Sequence, residues 1–260
     1  MSCGNFFSFN LVTARGTELS STSNDAFYPV ENIQHDHTTK VYRSQIGVNT
    51  ASVTFDFKTI EPVDSIVIAP SSVDGWGFSG AMTIEANGTA NFSSPAFTTT
   101  LTPNYDFNLG IKELGSVQSY RFWRITASGV GDYVEFSKIF IGSKLTLANN
   151  NIDFGWSFQL RDNSAIVTNR YRQRFIDTIN TEKVISASYK LLDISEVETL
   201  MGMFDDHGVH KPFFMVVDNS ESIITNKERF AGYFYFDTSP TILNNSFALY
   251  DATIKLGEGL

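Results

Sequence analysis

Four histidines are the residues of this sequence best suited to binding a metal ion. His35-Asp36-His37 would place two imidazoles on one face of an extended segment, as a metal-binding pair requires. A second group, Asp205-Asp206-His207 followed by His210, falls at the end of a predicted helix. In both places the alternative is a set of ordinary solvated polar groups, and we expect neither a metal nor a cofactor.

Trp76 and Phe78 are candidates for binding a sugar. Glycines flank both residues and predict a loop, and Asp74 lies close by. An aromatic ring can stack on the apolar C–H face of a sugar while a carboxylate accepts hydrogen bonds from its hydroxyls. The alternative is that both rings pack against the end of a domain or against a partner subunit.

Three arginines, Arg170, Arg172 and Arg174, alternate with other residues and are predicted to share one face of a strand. Like charges two residues apart on one face need compensation. The stripe could bind phosphate or face solvent. In an acidic chain, pairing with carboxylates of a neighbouring subunit is the interpretation we favour.

The sequence lacks the motifs of common enzymes. It has no Gly-x-Ser-x-Gly elbow, no Gly-x-x-x-x-Gly-Lys phosphate loop, no Cys-x-x-Cys and no His-Glu-x-x-His. We therefore expect a protein that is not an enzyme. The formal net charge of −9 argues against binding to nucleic acid.

Composition predicts a packed protein rich in β-structure. Hydrophobic residues make up 42% of the chain and charged residues 18%, which excludes disorder. Aromatic residues reach 14%, a share that suits pleated sheets. One cysteine, Cys3, allows no disulfide within the chain. The first residues do not resemble a secretory signal, and no apolar run approaches the roughly 18 residues of a membrane span.

Alternating apolar residues predict strands in two units. Tyr120–Thr126 and Tyr133–Gly142, separated by a Gly-rich turn, are expected to form the closing hairpin of a β-sandwich. Three asparagines at 149–151 favour a boundary there. We therefore predict a sandwich over residues 1–148 and a second β domain over residues 149–260.

The second unit is predicted to hold one short amphipathic helix, at about residues 195–206. Ser195 and Glu198 have the spacing of a capping box. Val197, Leu200, Met201 and Phe204 form an apolar stripe at helical spacing. The expected fold class is mainly β, with a sandwich followed by an antiparallel barrel or sandwich that carries this helix.

The first unit resembles the galactose-binding, discoidin-like β-sandwich family. The segments that carry the resemblance are the loop of residues 25–37, Phe55-Asp56-Phe57, Val63–Ile68, Ile84-Glu85, Tyr120–Ile125 and Glu135–Ile139. The resemblance implies a jelly-roll sandwich over residues 20–142. Some members bind Ca²⁺ through oxygen ligands near that loop, which makes Asp25 and Asp36 the only weak metal candidates.

The second unit resembles the tail-tube-like barrel of bacteriophage tail and tail-tip proteins in its antiparallel strands, single short helix and long final strands. Together, the two resemblances imply a structural component of a phage tail tip or baseplate. Its partners would be copies of itself in a ring and other tail proteins, and a host surface glycan is a further candidate. It would be made in the host cytoplasm without a signal peptide and end in the virion tail. The alternative function is a carbohydrate-binding module or adhesin that uses Asp74, Trp76 and Phe78.

Overall fold

The computed structural model describes residues 4–14, 16–70, 75–147, 156–177, 181–217 and 227–259. These residues contain twenty β-strands and one α-helix. In the first part of the chain the strands are β1 (Asn5–Phe7), β2 (Glu18–Ser21), β3 (Tyr42–Arg43), β4 (Thr50–Ala69), β5 (Phe78–Ser79), β6 (Met82–Asn87), β7 (Phe97–Leu101), β8 (Gly110–Ser128), β9 (Val130–Gly131), β10 (Glu135–Phe136), β11 (Lys138–Gly142) and β12 (Leu145–Thr146). The second part contains β13 (Ser157–Asp162), β14 (Ala165–Thr168), β15 (Arg174–Asp177), β16 (Thr181–Leu192), α1 (Ile194–His207), β17 (Phe213–Val216), β18 (Ala231–Phe236), β19 (Thr241–Ser246) and β20 (Leu249–Glu258). Short 3-10 helices span Val30–Gln34 and Lys227–Phe230. The predicted fold class, mainly β with antiparallel strands and a single α-helix, is confirmed for these residues.

A six-stranded antiparallel sheet forms the first unit. Its order is β11-β4-β8-β6-β7, and β2 pairs with β4 outside this path. Alternate residues of β4 and β8, such as Phe55 and Trp123, point into one apolar core because side chains alternate along a strand. Two short pairs, β3–β10 and β5–β9, contribute Tyr42, Phe136 and Phe78 to the same core.

The expected closing hairpin is wrong. β8 and β11 do not pair with each other, because β4 lies between them and pairs with both. Tyr120–Thr126 lies within β8, whereas the predicted strand Tyr133–Gly142 is divided into β10 and β11, which pair in different sheets. Alternation carries no information on which strand each one pairs with. The residues between them instead form β9 and β10, which pair with β5 and β3.

An eight-stranded antiparallel sheet forms the second unit. Its order is β12-β1-β17-β18-β20-β16-β13, with β19 also paired to β20. The first strand of the chain therefore lies in this second sheet, between β12 and β17. The predicted boundary at residues 148/149 falls on residues outside those described and stays a prediction. Strand pairing shows that the sandwich is inserted in the sequence between β1 and β12, which are neighbours in the second sheet.

The helix α1 covers this second sheet, with Val197, Leu200 and Met203 in the core. Its cap differs from the predicted one. Asp193 accepts a hydrogen bond from the Glu196 amide (2.9 Å), and the Glu196 carboxylate accepts one from the Asp193 amide (3.1 Å). These two bonds form a capping box that starts two residues before Ser195. No helix among the described residues has the length and apolar character needed to cross a membrane.

The observed cap predicts an order among alanine substitutions. Asp193→Ala should lower the free energy of unfolding more than Ser195→Ala, because it leaves the Glu196 amide without its acceptor. Urea denaturation of both variants and the wild type measures the difference. A larger loss of unfolding free energy in Ser195→Ala than in Asp193→Ala would contradict the observed cap and favour Ser195, the capping residue that the sequence spacing predicts.

Candidate functional site

The two aromatic residues of the predicted sugar site lie in the core of the sandwich. Trp76 is 4% exposed and Phe78 5% exposed. Their rings meet edge to face at a centroid distance of 6.2 Å, and Phe78 also contacts the ring of Phe136. Asp74 lies outside the described residues. The burial favours the packing alternative, since neither ring offers a free face for a sugar.

Gly77 explains why neither of its neighbours faces solvent. Its φ is +68°, a conformation that glycine adopts without strain. A Cβ at this position would collide with the ring of Tyr133. The loop therefore turns sharply under Tyr133 and directs Trp76 and Phe78 inward.

A different aromatic cluster lies at this end of the sandwich, and sequence analysis missed it. The guanidinium of Arg43 lies 4.5 Å from the ring centre of Tyr28 and 4.2 Å from that of Tyr133. Its Nε donates to the buried carboxylate of Glu135 at 2.6 Å. We call Tyr28, Arg43 and Tyr133, with the neighbouring Phe27, the aromatic end. These residues come from three distant parts of the sequence, so no local spacing indicates the cluster.

Phe27 is the exposed member of the aromatic end, at 85%. Asp25 holds the turn that presents it, because the Asp25 carboxylate accepts from the Phe27 amide at 2.8 Å. The backbone of Asp25 and of Tyr28 is also hydrogen-bonded to Arg43. Asp25 thus has a structural partner, which does not favour its role as a metal ligand.

Three of the candidate metal residues, Asp36, His37 and His210, line one groove, yet they form no metal-binding group. Among the described residues, no group of three or more His, Cys, Asp or Glu side chains could hold a metal ion. Asp36 lies on a groove between the two units. His207 is buried, and its two ring nitrogens face the carbonyl oxygens of Ser8 (3.2 Å) and Lys211 (3.1 Å). This histidine therefore joins the end of α1 to the segment after β1, and burial lowers its pKa.

The three arginines do not share a strand face as predicted. β14 and β15 form a hairpin, and Arg170 and Arg172 lie in its turn, where Arg172 has a φ of +61°. Arg174 is the first residue of β15. The cause is Asn169, whose side-chain oxygen accepts from the amides of Tyr171 (2.9 Å) and Gln173 (3.0 Å). Asparagine competes with strand pairing in this way and favours turns.

The hairpin carries apolar side chains on both faces. We call Ala165–Asp177 the arginine hairpin. Ile166 pairs with Ile176 on one face, and Val167 pairs with Phe175 on the other. All four side chains are more than half exposed. A two-stranded hairpin alone is marginally stable in water, and both apolar faces of this one are exposed to solvent.

One edge of the eight-stranded sheet lies next to the hairpin in sequence, and no described strand pairs with its outer side. β13 is the last strand of that sheet and precedes the hairpin by two residues. Leu160 on β13 is exposed, and an open edge strand presents unpaired backbone groups to other chains. Phe247, in the turn between β19 and β20, is 99% exposed. The second unit thus presents exposed apolar side chains at the hairpin, on β13 and in the turn before β20.

Comparison with known proteins gives distant structural likenesses only. No family model and no curated protein matches the chain. Among solved structures, a Ruminococcus gnavus GH29 fucosidase in complex with fucose has a TM-score of 0.46 at 16% identity, covering 54% of this chain and 28% of that one. The family 32 CBM from C. perfringens NanJ in complex with galactose has a TM-score of 0.42 at 16% identity, covering 53% and 98%. A Streptococcus pneumoniae fucose binding module has a TM-score of 0.43 at 13% identity, covering 52% and 98%.

These likenesses assign no activity and no ligand to this chain. The chain spans little more than a quarter of the length of the fucosidase. The arrangement of its own residues must therefore carry any functional proposal.

The burial of Trp76 predicts a stability effect. Trp76→Ala should cost about 3–5 kcal/mol of unfolding free energy, because it removes a large ring from a packed core. Phe27→Ala should change stability by less than about 0.5 kcal/mol, since its side chain is exposed. Chemical denaturation measures both values. If Trp76→Ala were as stable as the wild type, its ring would not have the packing role described here.

Proposed function

We propose that this protein is a structural subunit that assembles with copies of itself through the arginine hairpin. The observation that carries the proposal is the hairpin with exposed apolar side chains on both faces. A single surface could cover only one of those faces. Two covered faces require contact with two surfaces, as in a subunit placed between neighbours.

Charge makes a second copy of the chain the favoured partner. Three arginines concentrate at or beside the hairpin turn, while the chain as a whole has a formal net charge of −9. The acidic surface of a neighbouring copy complements this basic turn. Head-to-tail contacts of this kind close into a ring when the rotation between subunits permits it.

The biological setting follows from the sequence resemblance. A phage tail tip or baseplate is built from rings of structural subunits, and we propose that this chain belongs to such an assembly in the virion tail. Its further partners would be other tail proteins. No catalytic role enters this proposal.

Native mass across protein concentration tests the assembly. Ile176→Ser and Phe175→Ser each remove an apolar group from one face and should lower the oligomer fraction at least tenfold. Arg172→Glu should also lower the oligomer fraction at least tenfold, because it reverses a charge at the turn. In the wild type the oligomer fraction should fall as salt is added, and this dependence should be absent in Arg172→Glu. The matched control Ile60→Ser changes an equally exposed isoleucine in β4 of the sandwich and should keep the wild-type mass.

Two results would overturn the proposal. One is a wild-type protein that stays monomeric at every concentration reached. The other is an oligomer that Ile60→Ser weakens as much as Ile176→Ser does. The substituted side chains are exposed, so circular dichroism should show the same fold in all variants.

We propose glycan recognition at the aromatic end as a second candidate function. Its support is the exposed ring of Phe27, held by Asp25 beside the tyrosines that enclose Arg43. An exposed aromatic ring on a hydrogen-bonded turn is suited to stacking on a sugar. This site replaces the predicted one, whose two aromatic rings are buried.

Galactose and fucose, the sugars named for the structural neighbours, are the first probes. Saturation-transfer NMR should show contact of one of them with the wild type, and Phe27→Ala should remove it. Phe247→Ala is the matched control, because it deletes another exposed phenylalanine far along the chain. Binding that persists in Phe27→Ala, or the absence of contact with either sugar, would contradict this candidate.

A further inference from the structure

A cavity of about 240 Å³ lies between the two β-units, away from the arginine hairpin and the aromatic end. The sandwich contributes Thr38, Leu109 and Lys138, and the second sheet contributes Phe214 and Tyr233. Its volume is below the roughly 300–1,000 Å³ of sites for drug-sized ligands. The cavity can therefore hold only a small molecule.

Lys138 gives this cavity its charge. The side chain is 3% exposed, and its ammonium donates to the carbonyl oxygens of Ser137 (3.1 Å) and Lys40 (3.3 Å). Among the described residues no carboxylate lies within salt-bridge distance of it. An ammonium has three N–H donors, so one of them remains for a further acceptor.

The other charges of the cavity balance each other. Lys183 pairs with Glu258 at 2.9 Å and also donates to the carbonyl oxygen of Ala231. Lys138 is thus the charge on the described lining that has no carboxylate at salt-bridge distance, and Asp36, outside the lining, acts on it only from farther away. A ligand with a single negative charge would neutralise Lys138, whereas a dianion such as phosphate would leave an excess charge in a half-enclosed site.

Thr38 provides an independent indication of a ligand. Its hydroxyl oxygen is buried and has no hydrogen-bond partner among the described residues. Buried polar groups are nearly always hydrogen-bonded, so an unpaired one beside a cavity suggests a missing partner. The rings of Phe214 and Tyr233 line the same cavity and would contact an apolar body.

We propose that the cavity between the two β-units binds a small organic monocarboxylate, whose carboxylate accepts hydrogen bonds from Lys138 and Thr38. The apolar part of the ligand would lie against Phe214, Tyr233 and Leu109. This site is independent of self-assembly and of the aromatic end.

Protonation of Lys138 predicts how binding depends on pH. Burial lowers the pKa of Lys138 to about 8, and the charge of Asp36 opposes part of this shift. Tyr233, Lys183 and Glu258 face the same cavity. Burial raises the pKa of Tyr233, so this residue stays neutral across the range tested. A carboxylate should therefore bind well below pH 8 and progressively more weakly above it, as the ammonium loses its proton.

Titration calorimetry with sodium benzoate tests the proposal, with benzamide as the neutral probe of the same shape. We expect saturable binding of benzoate at one site at pH 7, at least tenfold weaker binding at pH 9.5 and none of benzamide. Glucuronate, in a parallel titration, distinguishes an acidic sugar from an apolar acid as the source of the carboxylate. Saturable binding of either acid that depends on Lys138 supports the proposal.

Two near-isosteric variants locate the site. Lys138→Met should weaken binding at least tenfold, and Thr38→Val about threefold to tenfold. The methionine variant should fold, because an apolar side chain replaces a buried ammonium, and its melting temperature at pH 7 should equal or exceed that of the wild type. The control Lys255→Met removes the same charge from an exposed position on β20 and should bind like the wild type.

Three results would overturn the assignment: no saturable binding of either acid, equal binding of benzamide, or unchanged affinity in Lys138→Met. If Lys138→Met failed to fold, two other measurements would still test the site. Benzoate affinity that is unchanged at pH 9.5 in the wild type, or unchanged in Thr38→Val, would contradict the assignment.

Discussion

The position of β1 between β12 and β17 determines how the two β-units meet. The chain begins in the second sheet, leaves it to build the sandwich and returns to pair beside its own start. Phe7 of β1 packs edge to face on Phe140 of β11, at a centroid distance of 5.3 Å. A shared apolar cluster contains both residues together with Val67 and Phe214, so both sheets contribute to one seam. The cavity lined by Lys138 lies along this seam.

The two units differ in the apolar side chains that they leave exposed to solvent. Core packing holds the two units together at the seam, and the sandwich buries Trp76 while its aromatic end presents Phe27. The arginine hairpin gains no comparable cover from the described residues of its own chain, although its length and composition would allow a buried strand pair. Burial of these two apolar faces would be favourable, and the proposed assembly with other copies of the chain would supply it.

Local patterns predicted the strands and the helix well, because side-chain period and capping chemistry are short-range properties. They did not predict that β4 lies between β8 and β11, since pairing depends on residues far apart in sequence. The alternation of the three arginines predicts a strand, but the side chain of Asn169 accepts hydrogen bonds from nearby amides and stabilises a turn there instead. Trp76 and Phe78 have a composition that suits a sugar site, yet Gly77 turns them inward. The aromatic end and the Lys138 cavity join residues that only the fold brings together.

Hydrogen exchange at the arginine hairpin, measured as a function of protein concentration, tests the central claim most directly. Amides of residues 165–177 on a free hairpin should exchange fast, because few buried contacts protect them. The account predicts that their protection rises with concentration, in step with the oligomer fraction and ahead of any change in the sandwich. Fast exchange of these amides in a fully formed oligomer would show that assembly uses another surface and would contradict the account.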